Sequence, residues 1–422
     1  MQQWRQLSLT GKILIAMIIG VAVGIFLNQI GQHNNFVQSI ILGGVLEIMG
    51  AIFVAGLKML VVPLVFVSLV GGVTALGDVN KLGRIGGKAL GLYLLTTAIA
   101  ISLALFLAHF INAGQGFDAT HAVTNTFQNK PAPSFVEVLI GIVPSNPISA
   151  MSEGSMLQII IFALLFGVSI SLAGEKGKHV LNFFNDLNEV IMKMVDIVMS
   201  LAPFGVFALI TKTFATQGID VILPLISYFI TVVLALFLHS VGTYGVFLKL
   251  AKLNPLTFFQ NMRPVFLFAF STASSNATIP VSLKTLEEKM GVDNAIASFT
   301  VPLGATINMD GTAIMQGVAT VFIANVYGVE LGLSAFLTII LTATLASIGT
   351  AGVPGVGLVM LTMVLNQVGL PVEGIALIIG VDRLLDMMRT VVNVTGDAMV
   401  TCLIAKGENA FDQSVFDARN SH

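Results

Sequence analysis

Long apolar runs recur from one end of the chain to the other, and they settle the solvent before anything else about the fold. They lie at 12–30, 38–75, 86–111, 135–173, 181–212, 219–249, 291–327 and 371–404. Two further stretches, 255–284 and 333–369, are apolar but broken in the middle by small and polar residues. A helix needs about 20 apolar residues to cross the hydrocarbon of a bilayer, and several of these runs reach that length. Only 10% of the 422 residues are charged and 55% are hydrophobic, against roughly 25% charged in soluble domains. A mean hydropathy of +0.93 excludes a water-soluble globule. The net charge of −2 carries no footprint for nucleic acid. A single cysteine, Cys402, excludes an internal disulfide framework and any multi-cysteine metal site. Ile13–Phe26, behind Arg5 and Lys12, has the outline of a signal peptide, but no clear small-residue cleavage site follows and the pattern runs directly into more spans.

Basic residues set the expected orientation. Arg5 and Lys12 precede the first run; Lys81, Arg84 and Lys88 follow the second, Lys176 and Lys178 the fourth, and Lys249 and Lys252 the sixth. Lys284 and Lys289 follow the first broken stretch, and Lys406 the last run. With a cytoplasmic N-terminus, simple alternation places all of these inside, provided that each broken stretch enters and leaves on the same side. Residues 112–133 then fall outside. The broken stretches therefore read as re-entrant hairpins, with a pair of kinked ordinary helices as the alternative. Their tips are Ser271-Thr-Ala-Ser-Ser-Asn-Ala-Thr-Ile-Pro280 and Ala346-Ser-Ile-Gly-Thr-Ala-Gly-Val-Pro-Gly355. Glycine and proline break helices, while Ser, Thr and Asn bond the backbone so exposed. Such backbone is tolerated at membrane depth only inside protein or beside a wet cavity. Each hairpin leads into a helix expected to be interrupted by a related word, Asn308-Met-Asp-Gly-Thr312 and then Asn393-Val-Thr-Gly-Asp397. Paired interruptions point to an inverted repeat with a site near the midplane.

The final run carries Asp382, Asp386, Arg389, Asn393 and Asp397, whose spacing puts them on one narrow helix face. Asp310 adds a carboxylate from the preceding repeat. A charge at mid-bilayer costs roughly 2.5–3.5 kcal/mol on insertion scales, so these residues should face protein or a cavity. One arginine cannot pair with all these acids. The surplus suits hard cations bound by oxygen and leaves a planar fork to grip a carboxylate; a structural salt-bridge network is the blander reading. An enzyme is poorly supported, because the histidines do not cluster in the interrupted segments. An intramembrane protease using Asp310 and Asp386, and a passive ion channel, are the rival classes.

Four motifs carry a resemblance: Ser274-Ser-Asn-Ala-Thr-Ile-Pro280, Pro302-Leu-Gly-Ala-Thr-Ile-Asn-Met-Asp-Gly-Thr-Ala313, Gly349-Thr-Ala-Gly-Val-Pro-Gly355 and Asp386-Met-Met-Arg-Thr-Val-Val-Asn-Val-Thr-Gly-Asp397. In these, and in their order along essentially the whole chain, it resembles the dicarboxylate/amino acid:cation symporters, the glutamate transporter family, in a bacterial-type member. The resemblance implies an all-α multi-pass membrane protein of the elevator type, with eight transmembrane helices, two re-entrant helical hairpins and inverted repeats. It implies a homotrimer in the bacterial inner membrane, both termini cytoplasmic. Residues 1–75 and 113–218 would form the scaffold, 76–112 and 219–404 the transport domain, and 405–422 a cytoplasmic tail.

The resemblance also implies sodium-coupled symport of glutamate or aspartate, with sodium cotransported and no organic cofactor or nucleic acid involved. A proton-coupled, C4-dicarboxylate or neutral amino-acid symporter of the same fold is the runner-up. Arg389 would hold the substrate's side-chain carboxylate and Asp386 its ammonium, a pairing that argues against a substrate with no amino group. Ser274, Ser275, Thr312, Val353, Gly357, Thr390 and Asn393 would complete the cradle. The implied sodium sites are Gly304, Asn308, Asn393 and Asp397; Thr306, Ser347, Ile348 and Thr350; and Tyr93, Thr96, Thr97, Asn308 and Asp310, with Met309 beside them. Three positions depart from the pattern of relatives in the family. Archaeal relatives carry an arginine where Ala273 stands, and mammalian ones carry it where Met388 stands, so Asp386 is expected to lack its usual basic neighbour. Gln316 stands where mammalian relatives carry a glutamate associated with proton and potassium coupling; an amide there cannot release a proton.

Overall fold

In a computed structural model describing residues 9–31, 34–74, 82–115, 140–141, 143–218, 222–348, 350, 352 and 354–417, the described elements are all helices, apart from an isolated bridge between Val292 and Phe411. Leu9–Gly31 comes first; a π-helical segment, Val37–Leu46, runs into Glu47–Thr74, and Leu82–Ile111 follows. Ile222–Leu238 continues through a second π segment, His239–Tyr244, into Gly245–Leu250. Within these lie four stretches long and apolar enough to cross a membrane: Gly11–Ile30, Val37–Gly71, Arg84–Ile111 and Leu223–Leu250. Ile18, Phe106, Phe110, Leu223 and Phe237 stand exposed on them. Bulky apolar faces of that extent are stable against lipid and not against water.

The apolar run 181–212 is bent in the middle. It divides into Lys178–Ser200 and Ala202–Gln217, which meet at a 45° bend. Pro203 lies in the first turn of the second helix, where a missing N–H costs nothing and a new helix can start.

Two groups of helices pack mainly among themselves. Leu9–Gly31 lies along Ala202–Gln217, and Glu47–Thr74 packs on Met156–Leu172, Lys178–Ser200 and Ala202–Gln217. In the other group Leu82–Ile111 packs on Asp310–Val326 and Leu333–Ser347, and the long helix Ile375–Gly407 touches most of its neighbours. Lys88 and Arg84 both pair with Glu408, which fastens the start of Leu82–Ile111 to the end of that helix.

Three breaks lie in the second group. The first separates Arg263–Thr272 from Ser275–Met290: Ala273 turns the chain in the left-handed region at φ 49°, and the Ser274 hydroxyl caps the next helix by accepting from Ala277 N. The second separates Asn294–Ile307 from Asp310–Val326, with Asn308 and Met309 off the helix. The third separates Leu333–Ser347 from Val356–Gln367, ending at Gly355 with φ +85°. No such break occurs at Asn393–Asp397. Contrary to the sequence reading, this word lies inside an unbroken helix of 33 residues. Gly396 serves close approach instead, since a Cβ there would fall 2.4 Å from Asn308 Nδ2 and 2.6 Å from the Tyr244 hydroxyl. A glycine inside a helix costs about 1 kcal/mol against alanine without breaking it.

Candidate functional site

The first and third breaks meet beside the second. Ser274 Oγ donates to Gly352 O at 2.8 Å and Asn276 N donates to the same oxygen at 3.1 Å. Gly352 sits so close that a Cβ would fall 2.7 Å from Ala305 O. Below this contact lies a small polar cavity lined by Ser275, Met309, Thr312, Thr350, Gly352, Gly357, Asp386, Thr390 and Asn393. Most of the residues expected in the substrate cradle are therefore together. Val353, with Gly349 and Ala351, lies outside the described residues.

Arg389, fully buried, is the electrostatic centre. Its Nη1 donates to Asp382 Oδ1 at 2.7 Å and its Nη2 to Asp386 Oδ1 at 2.8 Å, while Nε has no partner. Gly357 has to be small: a Cβ there would stand 3.1 Å from Arg389 Nη2. A guanidinium with a free buried N–H retains donor capacity that a carboxylate can use. Asp386 Oδ2 accepts from Gly355 N and from Arg383 Nη1, each at 3.1 Å. Asp386 lacks the basic neighbour that an arginine at 273 or 388 would give, and Arg383 supplies one from a third position, one turn back on the same helix. Asn393 crosses to the broken helix, accepting from Gly311 N at 2.8 Å through Oδ1. Its Nδ2 lies 3.4 Å from Thr312 Oγ1. Thr390 donates back to Asp386 O.

The residues expected around cations gather beneath. Asn308 Nδ2 donates to Asp397 Oδ1 at 2.9 Å and to Asn393 O at 3.0 Å, which leaves its buried Oδ1 without a partner. Gly304 lies against Asp397 and Tyr93: a Cβ there would sit 2.5 Å from Asp397 Oδ1 and 2.8 Å from the Tyr93 hydroxyl, which donates to Thr300 O. Thr97 Oγ1 donates to Asp310 Oδ1 at 2.6 Å, and Thr96 turns back to Tyr93 O. An orphaned amide oxygen, two buried carboxylates and off-helix backbone form an oxygen-rich donor set that fits a hard cation. The third expected group is less gathered. The hydroxyls of Thr306, Ser347 and Thr350 donate to Pro302 O, Thr344 O and Ala346 O of their own helices, and Ile348 caps its helix.

Sequence reasoning missed His239 and Tyr244, which close on Asp310 Oδ2 at 3.1 Å and 2.8 Å. Both come from a π segment, and a π bulge moves side chains off the face that ordinary helical spacing gives them.

A model of the Sodium:dicarboxylate symporter family matches residues 9–407. A proton/sodium-glutamate symport protein of Bacillus caldotenax is 35% identical over 416 residues, covering 97% of this chain and 96% of the relative. A C4-dicarboxylate transport protein of Bacillus subtilis is 33% identical over 413 residues, covering 96% and 95%. A proton/glutamate-aspartate symporter of Escherichia coli is 35% identical over 416 residues, covering 96% and 94%. With a family match over residues 9–407, from the first described helix to the end of Ile375–Gly407, the chain belongs to the sodium:dicarboxylate symporter family.

Proposed function

We propose that the protein is a secondary active symporter that carries glutamate or aspartate into the cell across the inner membrane, coupled to sodium. The observation that carries the reading is the Arg389–Asp386 pair beside the cavity under the two tips. An acidic amino acid has two carboxylates and one ammonium. Its side-chain carboxylate matches Arg389, whose Nε is free, and its ammonium matches Asp386. The hydroxyls and amides of Ser274, Ser275, Thr312, Thr390 and Asn393 serve the α-carboxylate, with Val353 and Gly357 completing the cradle. Asp310 and Asp397, surplus to the substrate, hold sodium with the oxygens of Tyr93, Thr96, Thr97, Gly304, Asn308 and Asn393, and a further ion belongs to Thr306, Ser347, Ile348 and Thr350.

In this reading the chain has eight membrane helices and two re-entrant hairpins and assembles as a homotrimer with both termini cytoplasmic. A scaffold of residues 1–75 and 113–218 stays fixed while 76–112 and 219–404 carry cargo through the membrane as an elevator, and 405–422 form a tail. Each cation moving down the membrane potential supplies about 2.3 kcal/mol per 100 mV, so a few cations drive steep accumulation. A proton-coupled version is the second reading, favoured by the names of the relatives. Gln316, buried in the broken helix, cannot itself carry the proton. Uptake of labelled aspartate and glutamate into proteoliposomes, with ions varied one at a time and the potential clamped, decides between them. Sodium coupling requires that an inward sodium gradient drives accumulation and a pH gradient alone does not; the reverse result overturns it.

A further inference from the structure

A cleft of about 390 Å³ opens where the start of Leu82–Ile111 passes the end of Ile375–Gly407, apart from the polar cavity. Its apolar walls are Leu92 and Leu95 on one side and Leu403 and Ile404 on the other. Between them it is lined by glycine: a Cβ at Gly87, Gly91 or Gly407 would meet nothing within 4 Å. Along Leu82–Ile111 the residues bordering the cleft follow one face in steps of three and four, Arg84, Lys88, Gly91 and Leu95. Cations stand at one end, bare backbone lies in the middle and a leucine closes the other end. At 1.5 Å per residue this face runs about 16 Å, half of the roughly 30 Å hydrocarbon core. It has the depth of one leaflet.

The charges at its mouth do not cancel. Arg84 and Lys88 share the carboxylate of Glu408, with Lys88 Nζ at 2.6 Å. Two cations against one anion leave one positive charge, and the two basic side chains are 69% and 47% exposed while Glu408 is 11% exposed. A guanidinium carries five N–H donors and an ammonium three; Glu408 takes one from each, so both keep donors to spare. Basic pockets between membrane helices attract anionic headgroups for this reason. We propose that the cleft is a binding site for one anionic phospholipid. Its phosphate sits on Arg84 and Lys88, and one acyl chain lies over Gly87 and Gly91 between the two helices. A zwitterionic lipid fits the apolar channel equally but leaves the surplus charge unanswered. The site shares no residue with the substrate cradle or the cation sites proposed above, and it stands independently of the transport reading.

The test is photolabelling of the full chain in liposomes by a phosphatidylglycerol that bears a diazirine on its acyl chain, followed by peptide mapping. Labelling should concentrate on residues 87–95 and 403–407, several-fold above other exposed faces such as those of Phe106 and Leu223. A phosphatidylcholine with the same diazirine should show no such preference, and unlabelled phosphatidylglycerol should displace the anionic probe. Gly91→Leu, which fills the open space, should cut labelling of the cleft several-fold. So should Arg84→Gln combined with Lys88→Gln and Glu408→Gln, which removes the surplus charge without stranding a carboxylate. Labelling of the other faces should not change in either variant. Labelling spread evenly over the exposed helices would mean ordinary solvation by lipid and overturns the proposal. Equal preference of both probes for the cleft overturns it too, as does a cleft left unlabelled because a second chain covers it. All three of those results come from the unaltered protein, whether or not the variants fold.

Discussion

Arg389 is where a single substitution tells most about cargo. Its guanidinium ties together Asp382 and Asp386 and lies fully buried beside the cavity. Removing one partner of a buried charge pair costs roughly 3–5 kcal/mol, because the other partner is left uncompensated. Arg389→Cys should therefore lower glutamate and aspartate uptake by at least about a hundredfold while opening the site to neutral amino acids. Asp386 keeps Arg383 in that variant, but Asp382 loses its ion pair with Arg389, so adding Asp382→Asn should recover folded protein without recovering acidic substrates. Uptake of labelled aspartate and serine, normalised to folded protein, checks this, and near-normal aspartate uptake by Arg389→Cys would remove Arg389 from substrate recognition. The acidic face around it was legible in the sequence, since Asp382, Asp386, Arg389, Asn393 and Asp397 recur at helical spacing and all prove buried. Arg383 was not legible there. It sits off that face, and only the reach of its long side chain brings it back to Asp386 three residues on.

At the scale of elements, the breaks do the positioning, and each was visible as a cluster of small, polar and proline residues. Spacing could not tell which glycines break a helix and which let helices touch. Gly396 belongs to the second kind and Gly355 to the first. Gly355 adopts φ +85° at the start of Val356–Gln367, its N–H donates to Asp386 Oδ2, and a Cβ would fall 2.5 Å from the Met199 Cε. The methionine tip is flexible and can yield, so the main penalty of Gly355→Ala is the left-handed backbone, about 1–2 kcal/mol. That penalty falls on the segment joining the second tip to Asp386. Gly355→Ala should weaken substrate affinity several-fold while changing the thermal unfolding temperature of the detergent-purified protein by only a few degrees. A loss of thermal stability without any loss of affinity would show that the turn supports the fold and not the site.

For the whole molecule, the proposed elevator requires the two groups of helices to slide past one another, and the contacts between them are of a kind that permits it. Val356–Gln367 packs on Glu47–Thr74, and Ile375–Gly407 packs on Ala202–Gln217. The side chains meeting there include Phe53, Met199, Val206 and Ile210, and Gly380 lies so close that a Cβ would stand 2.4 Å from the Ile210 Cδ1. Apolar contacts are non-directional, so such a surface can trade one set of partners for another at small cost. The polar side chains proposed to hold substrate and cations, by contrast, come from the helices of the second group, which would let the loaded site travel as one unit. Met199 and Gly355 face each other across the boundary, with the Met199 Cγ 3.7 Å from where a Gly355 Cβ would be. A Met199→Cys, Gly355→Cys pair should therefore be joined by a short bifunctional thiol reagent, since the Met199 Cγ, whose place a cysteine Sγ would take, lies within 4 Å of that Cβ. Native Cys402 is buried and should not compete. Both single-cysteine variants, treated identically, control for the strain at Gly355 and for modification alone. Once joined, the double variant should lose transport while still binding sodium and substrate in detergent, because the link fixes the two groups without filling the cavity. If cross-linked protein carried aspartate as fast as the untreated double variant, the groups would not move relative to each other during transport, and the elevator would have to give way to a mechanism in which the tips alone open and close.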